Sequence, residues 1–195
     1  MVSIRQLAQC IGLGKENFRL ARDFFGYRMG APSLQSLLTQ VRLLQGRHVH
    51  MNFILVGSDQ YTNNDLREID QALSFTRDTY AQENLGVGRI EHYSISTTDA
   101  NNAEDINNDD EAEELTNDWT VPNEALDIFF VLTYTGNTIG LSAIDGPCDK
   151  DAKGMDGSVV AIEGNPNTTG FVLAHEAGHY LGLNHSNNAN NLMFG

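Results

Sequence analysis

The eleven residues HEAGHYLGLNH, at positions 175–185, constrain the fold more than any other part of the chain. His175 and His179 are four positions apart, so on an α-helix their side chains lie one above the other on the same face. Gly182 allows the chain to leave the helix in a backbone conformation that other residues resist. The turn then brings His185 back towards the first two imidazoles. The sequence therefore predicts a helix that ends near Gly182 and a reversal of the chain after it.

Three imidazoles at this spacing indicate a metal site. Three neutral histidine ligands leave one position of a zinc ion open, which is typical of a catalytic zinc site and not of a structural one. Glu176 follows the first histidine, where its carboxylate can reach a water at the open position without occupying the metal. We therefore predict His175, His179 and His185 as ligands of one catalytic Zn²⁺ and Glu176 as the catalytic general base.

The same stretch resembles the extended zinc signature HExxHxxGxxH of the metzincin metallopeptidases. The second hallmark of this clan is a methionine in a tight turn below the metal, and Met193, eight residues after His185, matches it. This short gap and Ser186 look most like the matrixins. The upstream segment GLSAIDGPCDKDAKGMDGSVVAI looks more like bacterial and pappalysin-type metzincins. The chain is identified as a metzincin-clan zinc metallopeptidase, a resemblance that covers residues 49–195.

The resemblance implies an α+β fold, a zincin domain with a twisted mixed β-sheet, a backing helix and the active-site helix. Its edge strand would bind the backbone of a protein or peptide substrate as an added strand, and residues 140–144 are the candidate edge. The implied activity is that of a zinc-dependent endopeptidase, a hydrolase in which Glu176 takes a proton from the attacking water. A catalytically silent zinc-binding module is the alternative, because metzincins normally continue beyond the methionine turn.

The rest of the chain divides into two parts by its pattern of apolar residues. We interpret residues 1–46 as a helical N-terminal segment, which is a pro-segment, an appendage or part of the fold, with its clearest helix over residues 34–44. Residues 47–195 are the predicted catalytic domain, with its C-terminal subdomain truncated. Strands are predicted at 48–57, 88–96, 126–135 and 157–164. A helix capped by Asn64 is predicted over 65–83, the acidic stretch 98–118 is a solvated loop or a short helix, and the last helix opens at Thr168 or Thr169.

The charge balance restricts the partners of the chain. Acidic residues number 26 and basic residues 12, which gives a formal net charge of −14 and argues against nucleic acid or an anionic membrane surface as a partner. No apolar run approaches the roughly 20 residues of a membrane-spanning helix. The first residues have no signal-peptide pattern, whereas the metzincin resemblance favours a secreted protein.

Two features stay open at the level of sequence. Cys10 and Cys148 can form one bridge or remain free thiols, and Cys10 in a pro-segment could alternatively occupy the fourth position of the zinc. Asp149, Asp151 and Gly154 are similar to a calcium loop, although Lys153 breaks the pattern. Structural Ca²⁺ at this segment stays one alternative, which leans on the resemblance because many metzincins carry structural calcium.

Overall fold

A computed structural model of the chain describes residues 34–136, 138–147 and 154–195. The predicted helices before residue 33 and the predictions for Cys10, Cys148, Asp149 and Asp151 lie outside these residues. The described elements are α1 (Leu34–Leu43), β1 (His48–Val56), α2 (Asn63–Gln82), β2 (Gly86–Ile95), α3 (Thr97–Ala100), β3 (Asp105–Ile106), α4 (Asp109–Asp118), β4 (Leu126–Val131), β5 (Thr133–Tyr134), β6 (Gly140–Ser142), β7 (Ser158–Ala161) and α5 (Pro166–Tyr180).

The centre of the structure is a five-stranded mixed sheet with the strand order β2-β1-β4-β7-β6. The first four strands are parallel, and β6 pairs antiparallel with β7 at one edge. Parallel neighbours need crossover connections, and α2 supplies one between β1 and β2. The α+β fold with a mixed sheet, a backing helix and a final helix is therefore confirmed. Part of the predicted edge, Gly140–Ser142, forms the edge strand.

The sheet buries apolar side chains on both of its faces. All six residues of β4 are buried, and five of them are apolar, as expected for a strand covered on both faces; the sixth is Asp127. Ile128 and Phe130 lie in the cluster that contains side chains of α2 and α5. Phe129 and Val131 point to the opposite face and pack in a second cluster with side chains of α4. Helices α2 and α5 thus pack on the same face of the sheet.

The backing helix α2 begins with a capping box at Thr62. The Thr62 hydroxyl accepts hydrogen bonds from the backbone N–H groups of Asn64 and Asp65, and the Asp65 carboxylate accepts one from Thr62 N–H at 2.7 Å. The predicted cap, Asn64, was wrong, because Asn64 already lies inside the first turn of the helix. None of the helices in the described ranges has both the length and the apolar character needed to cross a membrane.

Helices α2 and α5 pack directly against each other. The Tyr80 hydroxyl donates a hydrogen bond of 2.9 Å to the backbone carbonyl of Ala174. A Cβ atom at Gly170 would lie only 2.7 Å from Phe75 Cβ, so a larger residue there would force the helices apart. These contacts hold α5 between the backing helix and the sheet.

The start of α5 is fixed by two polar side chains. Asn165 caps the helix and Pro166 is its first residue, so α5 opens two or three residues before the predicted Thr168 or Thr169. The buried Glu68 of α2 accepts hydrogen bonds from the Thr169 hydroxyl at 2.6 Å and from the Glu163 backbone N–H at 3.1 Å. The first turn of α5 is therefore tied to α2.

The acidic stretch 98–118 forms the short helices α3 and α4, with the two-residue strand β3 between them. A short helix was one of the two predicted alternatives for this stretch. Helix α4 carries Asp109, Asp110 and Glu111 in its first turn, where negative charge is favourable near the positive end of the helix dipole. Asn108 caps this helix by accepting a hydrogen bond from the Glu111 backbone N–H. The acidity of this stretch is thus compatible with local helix formation.

Replacement of the observed cap should destabilise the fold, whereas replacement of the predicted cap should not. We expect Thr62→Ala to lower the free energy of unfolding by about 1 kcal/mol, because two backbone donors lose their acceptor. Asn64→Ala, the matched control, should stay within about 0.5 kcal/mol of the unsubstituted protein. Urea denaturation followed by circular dichroism measures both. Equal losses for the two variants would contradict the assigned cap.

Candidate metal centre

The three histidines of the motif meet at the C-terminal end of α5. His175 and His179 lie on one face of the helix, with ring centroids 4.6 Å apart and an interplanar angle of 85°. The Nε2 atom of His185 lies 3.3 Å from that of His175 and 3.1 Å from that of His179. Among the described residues, no other group of three or more His, Cys, Asp or Glu side chains could hold a metal ion.

The turn that brings His185 back depends on Gly182. Gly182 has a φ of +94°, in the region that residues with a Cβ rarely adopt. Its N–H donates to the carbonyl of His179 at 2.8 Å, and Leu183 N–H donates to the carbonyl of Gly178 at 3.0 Å. These two bonds form a Schellman motif, which satisfies the last carbonyls of α5. The predicted helix end and chain reversal are therefore present.

Backbone carbonyls orient the two helical imidazoles. His175 Nδ1 donates a hydrogen bond of 2.9 Å to the Leu192 carbonyl, and His179 Nδ1 donates one of 2.7 Å to the Leu183 carbonyl. A carbonyl only accepts, so in each ring the proton lies on Nδ1 and the lone pair of Nε2 faces the centre. Burial is the main cause that lowers the pKa of His179, which favours the neutral form that binds metal.

The chain after the third histidine folds back beneath α5. Ser186 N–H donates to the Met193 carbonyl at 2.7 Å, and Ser186 and Phe194 form an isolated β-bridge. Met193 is buried, and its sulfur would lie 2.8 Å from a Cβ atom at Gly178. The methionine therefore lies against the turn of helix that carries His179.

Glu176 lies at the same end of α5 with its side chain buried, at 8% relative exposure. Burial raises the pKa of this carboxyl group to about 8. A cation bound by the neighbouring imidazoles would lower the pKa again, because it stabilises the charged carboxylate. Burial and a bound cation thus act on the pKa of Glu176 in opposite directions.

The donor set fits zinc. Zinc prefers nitrogen and sulfur ligands in tetrahedral geometry, and three convergent neutral imidazoles supply three of the four positions. Such an arrangement can hold one ion and leave one position for water or substrate. The residues that would hold it are His175, His179 and His185.

Comparisons with known proteins agree with this geometry. The sequence model described as metallo-peptidase family M12B reprolysin-like matches residues 60–186. The chain belongs to this family. Membership in this metallopeptidase family confirms the resemblance to the metzincins. The matching model is that of the reprolysin-like family. The sequence features had looked more like those of matrixins and of bacterial and pappalysin-type metzincins. No curated protein sequence matches the chain.

Solved structures with the same fold are distant in sequence. Metalloproteinase-II from Bacteroides fragilis is 16% identical with a TM-score of 0.50, and the match covers 76% of this chain and 46% of that chain. A chain from a structure described as a chaperone–substrate complex is 18% identical with a TM-score of 0.52, and the match covers 74% of this chain and 25% of that chain. This reprolysin-like chain therefore spans about half the length of the first protein and a quarter of the second.

The sequence did not predict the parts of this site that no particular residue type marks. The carbonyls of Leu183 and Leu192 orient the imidazoles, yet every residue carries a carbonyl, so no residue type points to these two. The close approach of Met193 to Gly178 was also missed. The glycine within the motif was the available signal, since glycine often marks a close contact.

Gly182 should matter both for stability and for the metal. We expect Gly182→Ala to lower the free energy of unfolding by about 1–2 kcal/mol, because alanine resists positive φ, and to weaken zinc binding because His185 moves. Gly136→Ala is the matched control, since Gly136 has a φ of +95° and no atom within 4 Å of a new Cβ. It should lose similar stability and keep its zinc affinity. Zinc titration against a chromophoric chelator measures the difference, and equal zinc affinities of the two variants would contradict the role of the turn.

Proposed function

We propose that the chain is a zinc-dependent endopeptidase, in which His175, His179 and His185 bind the ion and Glu176 is the general base. The observation that carries this proposal is the convergence of three imidazole Nε2 atoms, two of them with their Nδ1 protons fixed on backbone carbonyls. A purely structural zinc site would use a fourth protein ligand. Among the described residues, no fourth His, Cys, Asp or Glu side chain joins the three histidines as a ligand.

The proposed chemistry divides between the ion and the chain. Zinc, when bound, acts as a Lewis acid that makes a water more acidic and stabilises negative charge on the carbonyl oxygen of the peptide bond. Glu176 accepts the proton of the attacking water and delivers it to the nitrogen of the leaving amine. Its burial favours this role, because a desolvated carboxylate binds a proton more readily than an exposed one.

The position of β6 at the edge of the sheet favours a peptide as the substrate. On one side Gly140–Ser142 pairs with β7, and β6 is the last strand in the sheet order, so its other side pairs with no strand of the part of the chain that the structure describes. An extended peptide can add to such an edge through main-chain hydrogen bonds, and its scissile bond would then lie near the end of α5. The residues of β6 are half-buried, which leaves them accessible to such a partner.

Activity that depends on both zinc and Glu176 would establish the function. We expect the zinc-loaded protein to cleave a quenched fluorescent peptide mixture, to lose activity with a chelator and to regain it when zinc is restored. Glu176→Ala should keep its zinc and lose roughly 10²- to 10⁴-fold in turnover, because the proton transfer loses its acceptor. A zinc-loaded protein without cleavage would instead indicate a catalytically silent zinc-binding module. Unchanged turnover of Glu176→Ala would rule out this residue as the base.

The third ligand can be tested separately from catalysis. We expect His185→Ala to weaken zinc binding by at least about tenfold, since two imidazoles alone hold the ion less well. His48→Ala is the matched control, because His48 is an exposed histidine on β1, outside the proposed site. Its zinc affinity should equal that of the unsubstituted protein. Competition with a chelator of known affinity gives both values, and intact affinity in His185→Ala would place the third ligand elsewhere.

A further inference from the structure

Gly140, the first residue of the edge strand β6, lies directly against the side chain of Glu176. A Cβ atom at Gly140 would lie 2.8 Å from Glu176 Cγ and 2.9 Å from Glu176 Oε1. It would also lie 2.6 Å from Cγ1 of Val172, one turn earlier in α5. All three distances are shorter than the 3.4–4 Å of ordinary van der Waals contact. The space beside the Glu176 carboxylate is therefore available only because residue 140 has no side chain.

The requirement for glycine at this position is one of space and not of backbone conformation. Gly140 is in extended backbone, paired with Val160 of β7, and it is not among the glycines with positive φ. Alanine can adopt this conformation without strain. A substitution at Gly140 therefore probes the contact with α5 alone.

Neither the strand nor the helix can retreat easily from this contact. The Ser142 and Ser158 hydroxyls are 2.8 Å apart, and Ser158 Oγ donates to the backbone carbonyl of Glu176 at 3.4 Å. Beyond β6, Asp145 N–H donates to the carbonyl of His179 at 2.9 Å. These bonds join the strand and its following loop to α5 at the level of the backbone. An added methyl group would thus displace side chains and not whole elements.

The side chain that can yield is that of Glu176. Val172 is branched at Cβ and buried at 3% exposure among the side chains of the core, which restricts its rotamers. The Glu176 side chain has three rotatable bonds and no branch at Cβ, so it can change rotamer more readily. We propose that Gly140 is a positioning residue, whose missing side chain keeps the Glu176 carboxylate in its place beside the edge strand. This inference rests on the proposed function, in which Glu176 is the general base.

The kinetic test compares Gly140→Ala with a glycine variant remote from the site. Displacement of a catalytic group by about 1 Å can cost roughly 100-fold in rate, so we expect kcat to fall roughly 10- to 100-fold. KM should stay within about threefold, because the edge strand keeps its backbone geometry. Zinc content and melting temperature should match those of the unsubstituted protein. Gly46→Ala is the control, since its new Cβ would have its nearest neighbour, Leu43 O, at an ordinary 3.6 Å.

A spectroscopic readout tests the same inference without activity. Zinc-loaded protein labelled with ¹³C in the glutamate carboxyl groups gives one resonance for Glu176, assigned by its loss in Glu176→Gln. We expect this resonance to shift in Gly140→Ala and to stay in place in Gly46→Ala. If the unsubstituted protein cleaves no peptide, the proposed function fails, and the resonance still decides whether Gly140 positions the carboxylate.

Two results would overturn the inference. These are an unmoved Glu176 resonance in Gly140→Ala and, in an active protein, a kcat within about twofold of the unsubstituted value. If Gly140→Ala does not fold, the double variant with Val172→Ala removes the shortest contact and leaves those with Glu176. The kinetic and spectroscopic measurements then compare this double variant with Val172→Ala alone. We expect the same shift of the Glu176 resonance and the same loss of kcat.

Discussion

The metal centre depends on two hydrogen bonds from buried imidazoles to backbone carbonyls. His175 donates to Leu192 and His179 to Leu183, and both carbonyls come from the chain that follows α5. The helix alone therefore places the two rings side by side, but it does not orient them. Orientation requires the turn at Gly182 and the return of the chain beneath the helix. A mutation in either segment acts on the metal site through the tautomer and direction of the imidazoles.

The rest of the fold keeps α5 in a fixed position. The sheet supports one side of the helix, α2 packs against another through Tyr80 and the close approach at Gly170, and Glu68 binds its first turn. His175, Glu176 and His179 thus lie on a helix that is held along its length. Such support matters because catalytic groups act efficiently only when their geometry is maintained to a fraction of an ångström.

Local patterns were sufficient to predict much of this structure. The mainly apolar strand β4, the strand β1 and the glycine that ends α5 follow from the sequence itself. The helix starts were less predictable, because several polar residues near each start can act as a cap. Thr62 caps α2 instead of Asn64, and Asn165 opens α5 before the predicted threonines. Contacts between residues far apart in sequence, such as Gly140 with Glu176, leave no local pattern at all.

The short edge strand has a consequence for the behaviour of the protein at high concentration. An exposed sheet edge that accepts a peptide can also accept the edge of another molecule and so start aggregation. Here β6 is only three residues long, and Asp145 soon after it has a φ of +57°, which ends the extended conformation. The net charge of −14 adds repulsion between copies. The shortness of the edge and the charge of the chain therefore both oppose edge-to-edge pairing between copies.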